Sequence, residues 1–274
     1  MSHVASPGTG ELGSFDPSVP HPARVYNVWL DGKDHFESDR EVADRVIKER
    51  PQVVDGAVAN RQFLGRAVRY LARCHGVRQF IDIGTGLPAP DNTHEVAQMV
   101  DPYSRVLYVD SDPMVMSHAE ALLTSTDEGS CDYLHTDLRD TAYILKEARR
   151  TLDFNLPVAV LLLAVLHFIP DEDDPAGIVT ALAGPLTAGS SVVISHLTAD
   201  SAPEAVGGGV AAYNALVPTS IYARTHAQVT ELFEDFTLVP PGVVPVSEWR
   251  PDSVAKKVTD VYAGIARKPW RRWW

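Results

Sequence analysis

The sequence contains little of several features that would define a narrow class of protein. Only two cysteines, Cys74 and Cys131, occur in 274 residues, so neither a disulfide framework nor a cysteine-based zinc site is expected. The 24 Lys and Arg residues are outnumbered by 36 Asp and Glu residues, which gives a net charge of −12. Because nucleic-acid binding requires clustered positive charge, this balance disfavours nucleic-acid partners.

Long hydrophobic runs are also missing. The most apolar segment, "PVAVLLLAVLHFIP" (residues 157–170), is too short to span a bilayer. The N-terminal "MSHVASPGTGELGSF" (residues 1–15) lacks the basic and apolar parts of a secretory signal. We therefore expect a cytoplasmic protein without a membrane partner.

The chain divides into four segments of different character. Residues 1–22 are rich in Gly, Pro and Ser and are expected to be flexible. Residues 23–75 contain two helical patterns and are expected to form a helical N-terminal extension. Residues 76–269 are expected to form the main domain, and the basic, aromatic "WRRWW" (residues 270–274) a surface tail.

The main domain alternates short apolar runs with helical patterns. Several runs are apolar on both faces, as central parallel strands covered by helices are. The pattern predicts an α/β protein with a doubly wound sheet. The five predicted strands are "QFIDI" (79–83), "SRVLYVD" (104–110), "CDYLH" (131–135), "VAVLLLAVL" (158–166) and "SSVVISHL" (190–197).

The C-terminal part departs from this alternation. The run Gly207–Gly209 predicts a hinge between two helical pieces. The last two apolar runs, residues 236–246 and 261–268, have no helical pattern between them. They predict an antiparallel hairpin at one end of the sheet.

The first predicted strand leads into a glycine loop, "FIDIGTGLPAP" (residues 80–90). Gly84 and Gly86 formally match a dinucleotide-binding motif, in which a helix N-terminus holds a pyrophosphate. Pro88 and Pro90 follow at once and disfavour a helix starting there. Asp82, just before the motif, would repel a phosphate. The loop therefore predicts a ligand with a cationic group and without phosphates.

Two further acids follow the next two predicted strands. Asp110 lies at the end of the second strand, where an acid can accept both hydroxyls of a ribose. Asp137 follows the third strand and could accept from an adenine amino group. Helix capping is the alternative role for both, and Asp112 is the better cap beside Pro113. Three successive strands thus end in acids suited to a nucleoside.

These motifs carry a resemblance to a known family. "FIDIGTG", "VLYVDSDP" and "HTDLRD" resemble the first three motifs of class I S-adenosylmethionine-dependent methyltransferases. Together with "ARVYNVWLDGKDHFESDREVA", "ANRQFLGRAVRYLA" and "PPGVVPVSEWRPD", they resemble the actinobacterial S-adenosyl methyltransferase family once catalogued as a domain of unknown function. The resemblance implies a Rossmann-like, seven-stranded, mostly parallel sheet with a reversed last strand and helices on both faces.

The resemblance also implies a cofactor, S-adenosyl-L-methionine, and the residues that hold it. The implied residues are Asp82, Gly84, Thr85 and Gly86 for the methionine and ribose part, Asp110 with Ser111 and Asp112 for the ribose hydroxyls, Asp137 and Leu138 for the adenine, and Ala164 and Leu166 near the sulfonium.

Four further candidates come from residue patterns. Tyr26 and Lys33 lie in a stretch of aromatic, Gly and charged residues that is either a packed N-terminal arm or a binding segment. Arg61 borders an apolar helix stripe and could pair with the carboxylate of the cofactor or of an internal Asp. His167 follows the fourth strand and is either a general base or a structural histidine.

The expected reaction is in-line displacement of the methyl group by a small-molecule acceptor. The fourth strand ends in "LLLAVLHFIP", not in the Asn-Pro-Pro-Tyr motif of enzymes that methylate amino groups of nucleic acids. One alternative is a non-catalytic protein that binds S-adenosylmethionine or S-adenosylhomocysteine. The other is a nicotinamide-dependent oxidoreductase, which Pro88, Pro90 and the lack of an evident Tyr–Lys pair disfavour.

Overall fold

A computed structural model describes residues 16–252 and 258–269 of the chain. Residues 1–15 of the expected flexible segment and the expected tail, residues 270–274, lie outside the described residues. Within the two described ranges, the helices are too short or too polar for any of them to cross a bilayer.

Three helices precede the sheet: α1 (Pro22–Trp29), α2 (Glu37–Glu49) and α3 (Val53–His75). The last two match the two helical patterns in the sequence. Helix α1 was not expected, but Pro22 suits a first helical turn and the His21 side chain accepts a hydrogen bond from the amide of Ala23. Burial of Val25 against Val42 of α2 holds this short helix in place.

Five parallel strands form most of the sheet, and the helices between them connect one strand to the next. The strands are β1 (Gln79–Ile83), β2 (Arg105–Asp110), β3 (Ser130–His135), β4 (Val158–Leu163) and β5 (Ser191–Leu197). The helices are α4 (Thr93–Val100), α5 (Pro113–Leu122), α6 (Thr141–Ala148) and α7 (Pro175–Ala183).

Alternate residues of a central strand point to opposite faces, and both faces are covered. Ile81 and Ile83 of β1 pack in the cluster that contains Ile144 of α6. Phe80 packs in the opposite cluster with Phe63 of α3. The expected α/β sheet with helices on both faces is confirmed.

The C-terminal strands complete the sheet in the order β3-β2-β1-β4-β5-β8-β6. Strand β8 (Val261–Arg267) runs antiparallel to β5, as the reversed last strand was expected to do. Its hairpin partner is split into β6 (Thr237–Leu238) and β7 (Val244–Pro245), each antiparallel to β8. Two prolines between them lack the amide donor that a continuous ladder needs. Within residues 16–252 and 258–269 the sheet therefore has eight strands instead of the expected seven.

The glycine run lies inside one unbroken helix, α8 (Pro203–Asn214), so the expectation of a hinge between two helical pieces was wrong. A Cβ built at Gly209 would lie 3.6 Å from the Cβ of Arg50 and 3.7 Å from Val46. Helix α8 therefore packs closely on α2, and this packing overrides the low helix propensity of glycine. A short helix, α9 (His226–Glu231), follows.

The strand order reverses between β1 and β4, which are neighbours in the sheet. In an open α/β sheet, a crevice forms at the carboxyl ends of the strands on either side of such a reversal. Helix α2 packs against both α1 and α8, and all three helices reach the crevice at these strand ends. The fold thus places a crevice between the strand ends and the helices.

Candidate functional site

A cavity of about 290 Å³ lies at the carboxyl ends of β1 and β4. Most of the predicted site residues, although far apart in the sequence, line this one cavity. They are Tyr26, Arg61, Asp82, Gly84, Thr85, Gly86, Asp110, Ser111, Asp137, Leu138, Ala164 and His167.

The glycine loop forms the floor of the cavity. Gly84 and Gly86 both have positive φ, at 69° and 67°, a region that glycine adopts at little cost. The amide of Gly84 donates to Val109 of β2 over 2.8 Å, which fixes the loop to the sheet. Helix α4 begins only at Thr93, as the two prolines predicted, so its N-terminus is not part of the glycine motif.

Asp110 joins this loop to the end of β2. Its carboxylate accepts hydrogen bonds from the amides of Gly86, at 2.9 Å, and Asp112, at 3.0 Å. Burial raises the pKa of Asp110 above its ordinary value. The two amides hold the carboxylate in one orientation at the cavity wall, where its remaining lone pairs could accept hydroxyl groups of a ligand.

Asp82 is a buried carboxylate that could hold a cation. Its Oδ2 accepts a hydrogen bond from the Thr93 hydroxyl at 2.6 Å. Burial raises the pKa of Asp82 to about 6, against the smaller opposing effects of Thr93 and of the more distant Arg61. An ammonium group of a ligand would supply the positive charge that this carboxylate lacks.

Asp137 lines the cavity beyond β3 and is not the cap of the next helix, because Asp140 caps α6. Both carboxylate oxygens of Asp137 accept from the Arg139 guanidinium, at 2.9 and 2.7 Å. These hydrogen bonds lower the pKa of Asp137. The guanidinium is anchored in turn by Asp173, so Asp137 is ionised and held in place.

Two predicted residues reach the cavity from the N-terminal helices. The Tyr26 hydroxyl donates to the carbonyl of Ala57 at 2.9 Å and accepts from Nδ2 of Asn60 at 3.1 Å. Arg61 donates to the carbonyls of Ala89 and Pro90 and to Oδ1 of Asn92, so it fixes the glycine loop. Its pairing with the carboxylate of the cofactor stays a prediction.

His167 lies in a short 3-10 turn after β4 and faces the cavity. Its Nδ1 is buried and has no hydrogen-bond partner among the described residues. Burial, together with nearby His196 and Arg224, lowers the pKa of His167 well below its ordinary value. The imidazole is therefore neutral at neutral pH and is able to accept a proton.

Of the predicted site residues, Asp112, Lys33 and Leu166 do not line this cavity. The Asp112 side chain accepts a hydrogen bond from the amide of Met114 and so caps α5. Capping is the alternative role that the sequence allowed for this residue. Lys33 is exposed in the loop after α1. Leu166 is fully buried, because the 3-10 turn after β4 directs it into the core while Ala164 and His167 stay at the cavity.

His196 is a structural residue next to the turn that carries His167. It is fully buried at the end of β5, with Nδ1 2.7 Å from the Leu197 carbonyl and Nε2 2.8 Å from Arg224. Burial lowers the pKa of His196 to about 4. The Arg224 side chain donates further to the carbonyls of Leu166 and Ile169 and so fixes the turn that carries His167.

Several further side chains complete the cavity. Trp29 of α1 and Phe168 of the turn after β4 lie in the wall, together with the buried Tyr213 of α8. An ion pair also lines the cavity, in which Arg50 donates to both oxygens of Asp260 at 2.8 and 3.0 Å. Its partners are 210 residues apart, and no sequence pattern links them.

Comparison with known proteins assigns the chain to a family. The family model described as S-adenosyl methyltransferase matches residues 9–269. The chain belongs to this family. It is an S-adenosylmethionine-dependent methyltransferase, as the sequence motifs predicted. No functionally curated protein matches the methyltransferase by sequence.

Solved structures agree with this family. A DUF574 family protein from Streptomyces avermitilis is 43% identical, with a TM-score of 0.89, over 93% of this chain and 99% of that one. A provisionally assigned methyltransferase from Thermobifida fusca is 39% identical, with a TM-score of 0.85, over 92% and 96% of the two chains. Both source organisms are actinobacteria, as expected.

A more distant likeness shows the fold alone. Magnesium protoporphyrin IX methyltransferase from Synechocystis, solved with bound S-adenosylhomocysteine, is 14% identical. The TM-score is 0.50, over 85% of the present methyltransferase and 95% of the Synechocystis chain.

The cavity residues fit the cofactor of the family. The buried Asp82 suits an ammonium group, and the fixed carboxylate of Asp110 suits a pair of hydroxyls. A Cβ built at Gly86 would meet no atom within 4 Å, so the loop leaves open space there. Oδ1 of Asn60 is buried at the cavity without a partner among the described residues and could accept a further donor.

Proposed function

We propose that this methyltransferase transfers a methyl group to a small-molecule acceptor by in-line displacement. The supporting observation is the shape of the cavity, which continues from the strand-end acids past His167 to the wall formed by α1, α2 and α8. A pocket between packed helices suits a small molecule better than a polymer. The net charge of −12 also disfavours a nucleic-acid acceptor.

In this proposal the cofactor lies across the carboxyl ends of β1, β2 and β3. Asp82 pairs with its ammonium group, Asp110 accepts its ribose hydroxyls, and Asp137 with Leu138 holds the adenine. Gly84 and Ala164 directly follow β1 and β4 and line the part of the cavity where the acceptor would approach. Ala164 is held there in a left-handed conformation by hydrogen bonds from its amide to the carbonyl and the hydroxyl of Ser195.

The cofactor supplies a methyl group on a positively charged sulfur, so the protein has little new charge to stabilise. The main task of its residues is to place the nucleophile about 3 Å from the methyl carbon and in line with the leaving atom. His167 is placed to accept a proton when the nucleophile is a hydroxyl. The helical wall keeps water away from the reacting atoms.

The affinity for S-adenosylhomocysteine should fall as the pH drops below about 6. The pKa of Asp82 is about 6 in the free protein, and a bound ammonium group stabilises the ionised form. Below this pKa, ligand binding therefore releases a proton from Asp82. Above this pKa, Asp82 is already ionised and binding releases no proton. About one-tenth of Asp82 is ionised at about pH 5, so the dissociation constant should rise about tenfold between about pH 7 and pH 5.

Calorimetric titrations across this pH range test that role, with Asp82→Asn as the matched variant. The variant should bind weakly and without this pH dependence, because the amide does not titrate. An equally steep pH dependence in Asp82→Asn would remove Asp82 from the ammonium site.

The raised pKa of Asp82 also affects the stability of the folded protein. Because the folded protein holds this proton more tightly than the unfolded chain does, Asp82 stabilises the fold fully below about pH 4. This contribution should be lost as the pH rises through about 6.

Replacement of His167 by alanine should lower turnover about 100-fold and leave the affinity for S-adenosylhomocysteine unchanged. A positioned general base raises the rate roughly 100- to 10,000-fold. The lowered pKa of His167 makes it a weak base, so we expect an effect near the lower end of this range. Steady-state kinetics with the acceptor and calorimetry with the product separate the two effects. His75→Ala, at the end of α3 outside the cavity wall, is the control. Full turnover in His167→Ala would make His167 structural.

The class of the acceptor can be tested with labelled S-adenosylmethionine. Incubation of the labelled cofactor with an actinobacterial metabolite extract should place the label in a low-molecular-weight product. Label only in added RNA or DNA would replace the small-molecule proposal.

A further inference from the structure

The far side of the cavity has an apolar and aromatic character that the cofactor does not explain. We name the side chains of Trp29, Val46, Val53, Phe168, Val206 and Tyr213 the acceptor wall, and all of them line the cavity. Most pack together in one hydrophobic cluster formed by α1, α2 and α8. Three of these six side chains are aromatic, so the acceptor wall suits an aromatic ring.

Two polar atoms of the acceptor wall have no hydrogen-bond partner among the described residues. They are Nε1 of Trp29 and the hydroxyl of Tyr213, and both are buried. Tyr213 is only 3% exposed. Buried polar groups are nearly always hydrogen-bonded, because an unpaired one costs free energy. A ligand that brings a hydrogen-bond acceptor to this wall would satisfy them.

The charges beside the acceptor wall are already neutralised within the protein. Arg50 and Asp260 form a bidentate pair, and the Ser201 hydroxyl also donates to Asp260. A charged ligand would have to enter this apolar region without a counter-charge, which is costly. The wall therefore favours a neutral molecule.

We infer that the methyl acceptor is a neutral hydroxylated aromatic compound that also carries a hydrogen-bond acceptor such as a carbonyl group. Tyr213 and Trp29 recognise that carbonyl and are specificity-determining residues. This inference rests on the proposed function. In the reaction, the bond from the acceptor oxygen to the methyl carbon forms as the sulfur–carbon bond breaks. The electron pair of that bond stays on sulfur and neutralises its charge, and the phenolic proton passes to His167.

The chemistry of His167 supports a phenol over an alcohol. Its Nδ1 is buried, and among the described residues no carboxylate accepts a hydrogen bond from this atom. Its lowered pKa makes it a weak base. Such a base suits a phenolic hydroxyl, with a pKa of about 10, and not an alkyl alcohol, which is far less acidic.

Binding of three matched probes tests the inference. In the presence of saturating S-adenosylhomocysteine, 4-hydroxyacetophenone, 4-hydroxybenzoate and tyramine share a phenol but differ in charge. Calorimetry should show that the neutral ketone binds at least about 10-fold more tightly than the anion and the cation. Equal or tighter binding of either charged probe, or binding of none of the three, would overturn the inference.

The variant Tyr213→Phe separates recognition from structure. It should weaken binding of 4-hydroxyacetophenone about 3- to 10-fold, the value of one neutral hydrogen bond. Its melting temperature should stay the same or rise, because the hydroxyl it removes is buried without a partner. Tyr103→Phe, the same change at an exposed site, is the control and should alter neither quantity.

The outcomes also separate this inference from the proposed function. Failure of S-adenosylhomocysteine to bind the wild type would contradict the methyltransferase site itself. A second outcome would overturn only the assignment of the acceptor. In that outcome S-adenosylhomocysteine binds tightly, but neither Tyr213→Phe nor Trp29→Phe weakens binding of the ketone.

Discussion

Replacement of Gly84 by alanine should lower the free energy of unfolding by about 2–5 kcal/mol and abolish measurable cofactor binding. A Cβ built at Gly84 lies 2.4 Å from Cγ2 of Val165, closer than atoms approach in proteins, and φ is 69°. The left-handed conformation costs about 1–2 kcal/mol and overpacking about 1–3 kcal/mol. Val165 is buried in the core and cannot move away freely. Urea denaturation and calorimetry measure the two effects.

Gly86→Ala is the matched control for this prediction. Its φ of 67° imposes the same backbone cost, but the added Cβ meets no atom within 4 Å. It should therefore lose only about 1–2 kcal/mol. In a double-mutant cycle, Val165→Ala should partly rescue Gly84→Ala and not Gly86→Ala. Equal losses in the two glycine variants would show that the contact with Val165 does not shape the loop.

Replacement of Asp110 by alanine should weaken binding of S-adenosylhomocysteine about 5- to 150-fold. The change removes the proposed acceptor of the ribose hydroxyls and also the anchor of the Gly86 and Asp112 amides. Loss of such hydrogen bonds costs about 1–3 kcal/mol. Calorimetric titration of the wild type and the variant gives the ratio of dissociation constants.

Two companion variants make this result specific. Asp110→Asn keeps one acceptor oxygen and should show an intermediate loss, while the exposed Asp127→Ala should bind as the wild type does. Unchanged affinity in Asp110→Ala would refute the ribose role of this carboxylate and leave it as a structural anchor of the loop.

Much of the sheet was predictable because each buried strand is also an apolar run in the sequence. Strand β1 occupies the predicted residues 79–83, and α4 begins only after the two prolines that disfavour an earlier start. Prediction was wrong where tertiary packing decides. Helix α8 continues through three glycines because it packs on α2, and α1 is too short to show a clear period.

The candidate site was predictable on its strand side and not on its helical side. Asp82, Asp110 and Asp137 each follow an apolar run, and parallel strand ends meet at one edge of the sheet. The acceptor wall depends on how α1, α2 and α8 pack, and the Arg50–Asp260 pair joins distant parts of the chain. Local sequence carries no signal for these contacts between distant segments. The aromatic residues around Tyr26 indicated only that this stretch is either a packed arm or a binding segment.

A crystal structure with bound S-adenosylhomocysteine would locate every part of the cofactor product at once and so test the proposed cofactor site and acceptor pocket together. The site predicts that the ribose hydroxyls contact Asp110, that the amino group lies at Asp82 and that the adenine lies beside Leu138. It also predicts that the sulfur faces an open pocket bounded by His167 and the acceptor wall. A nucleoside bound elsewhere, or a sulfur enclosed by protein with no room for an acceptor, would contradict the account.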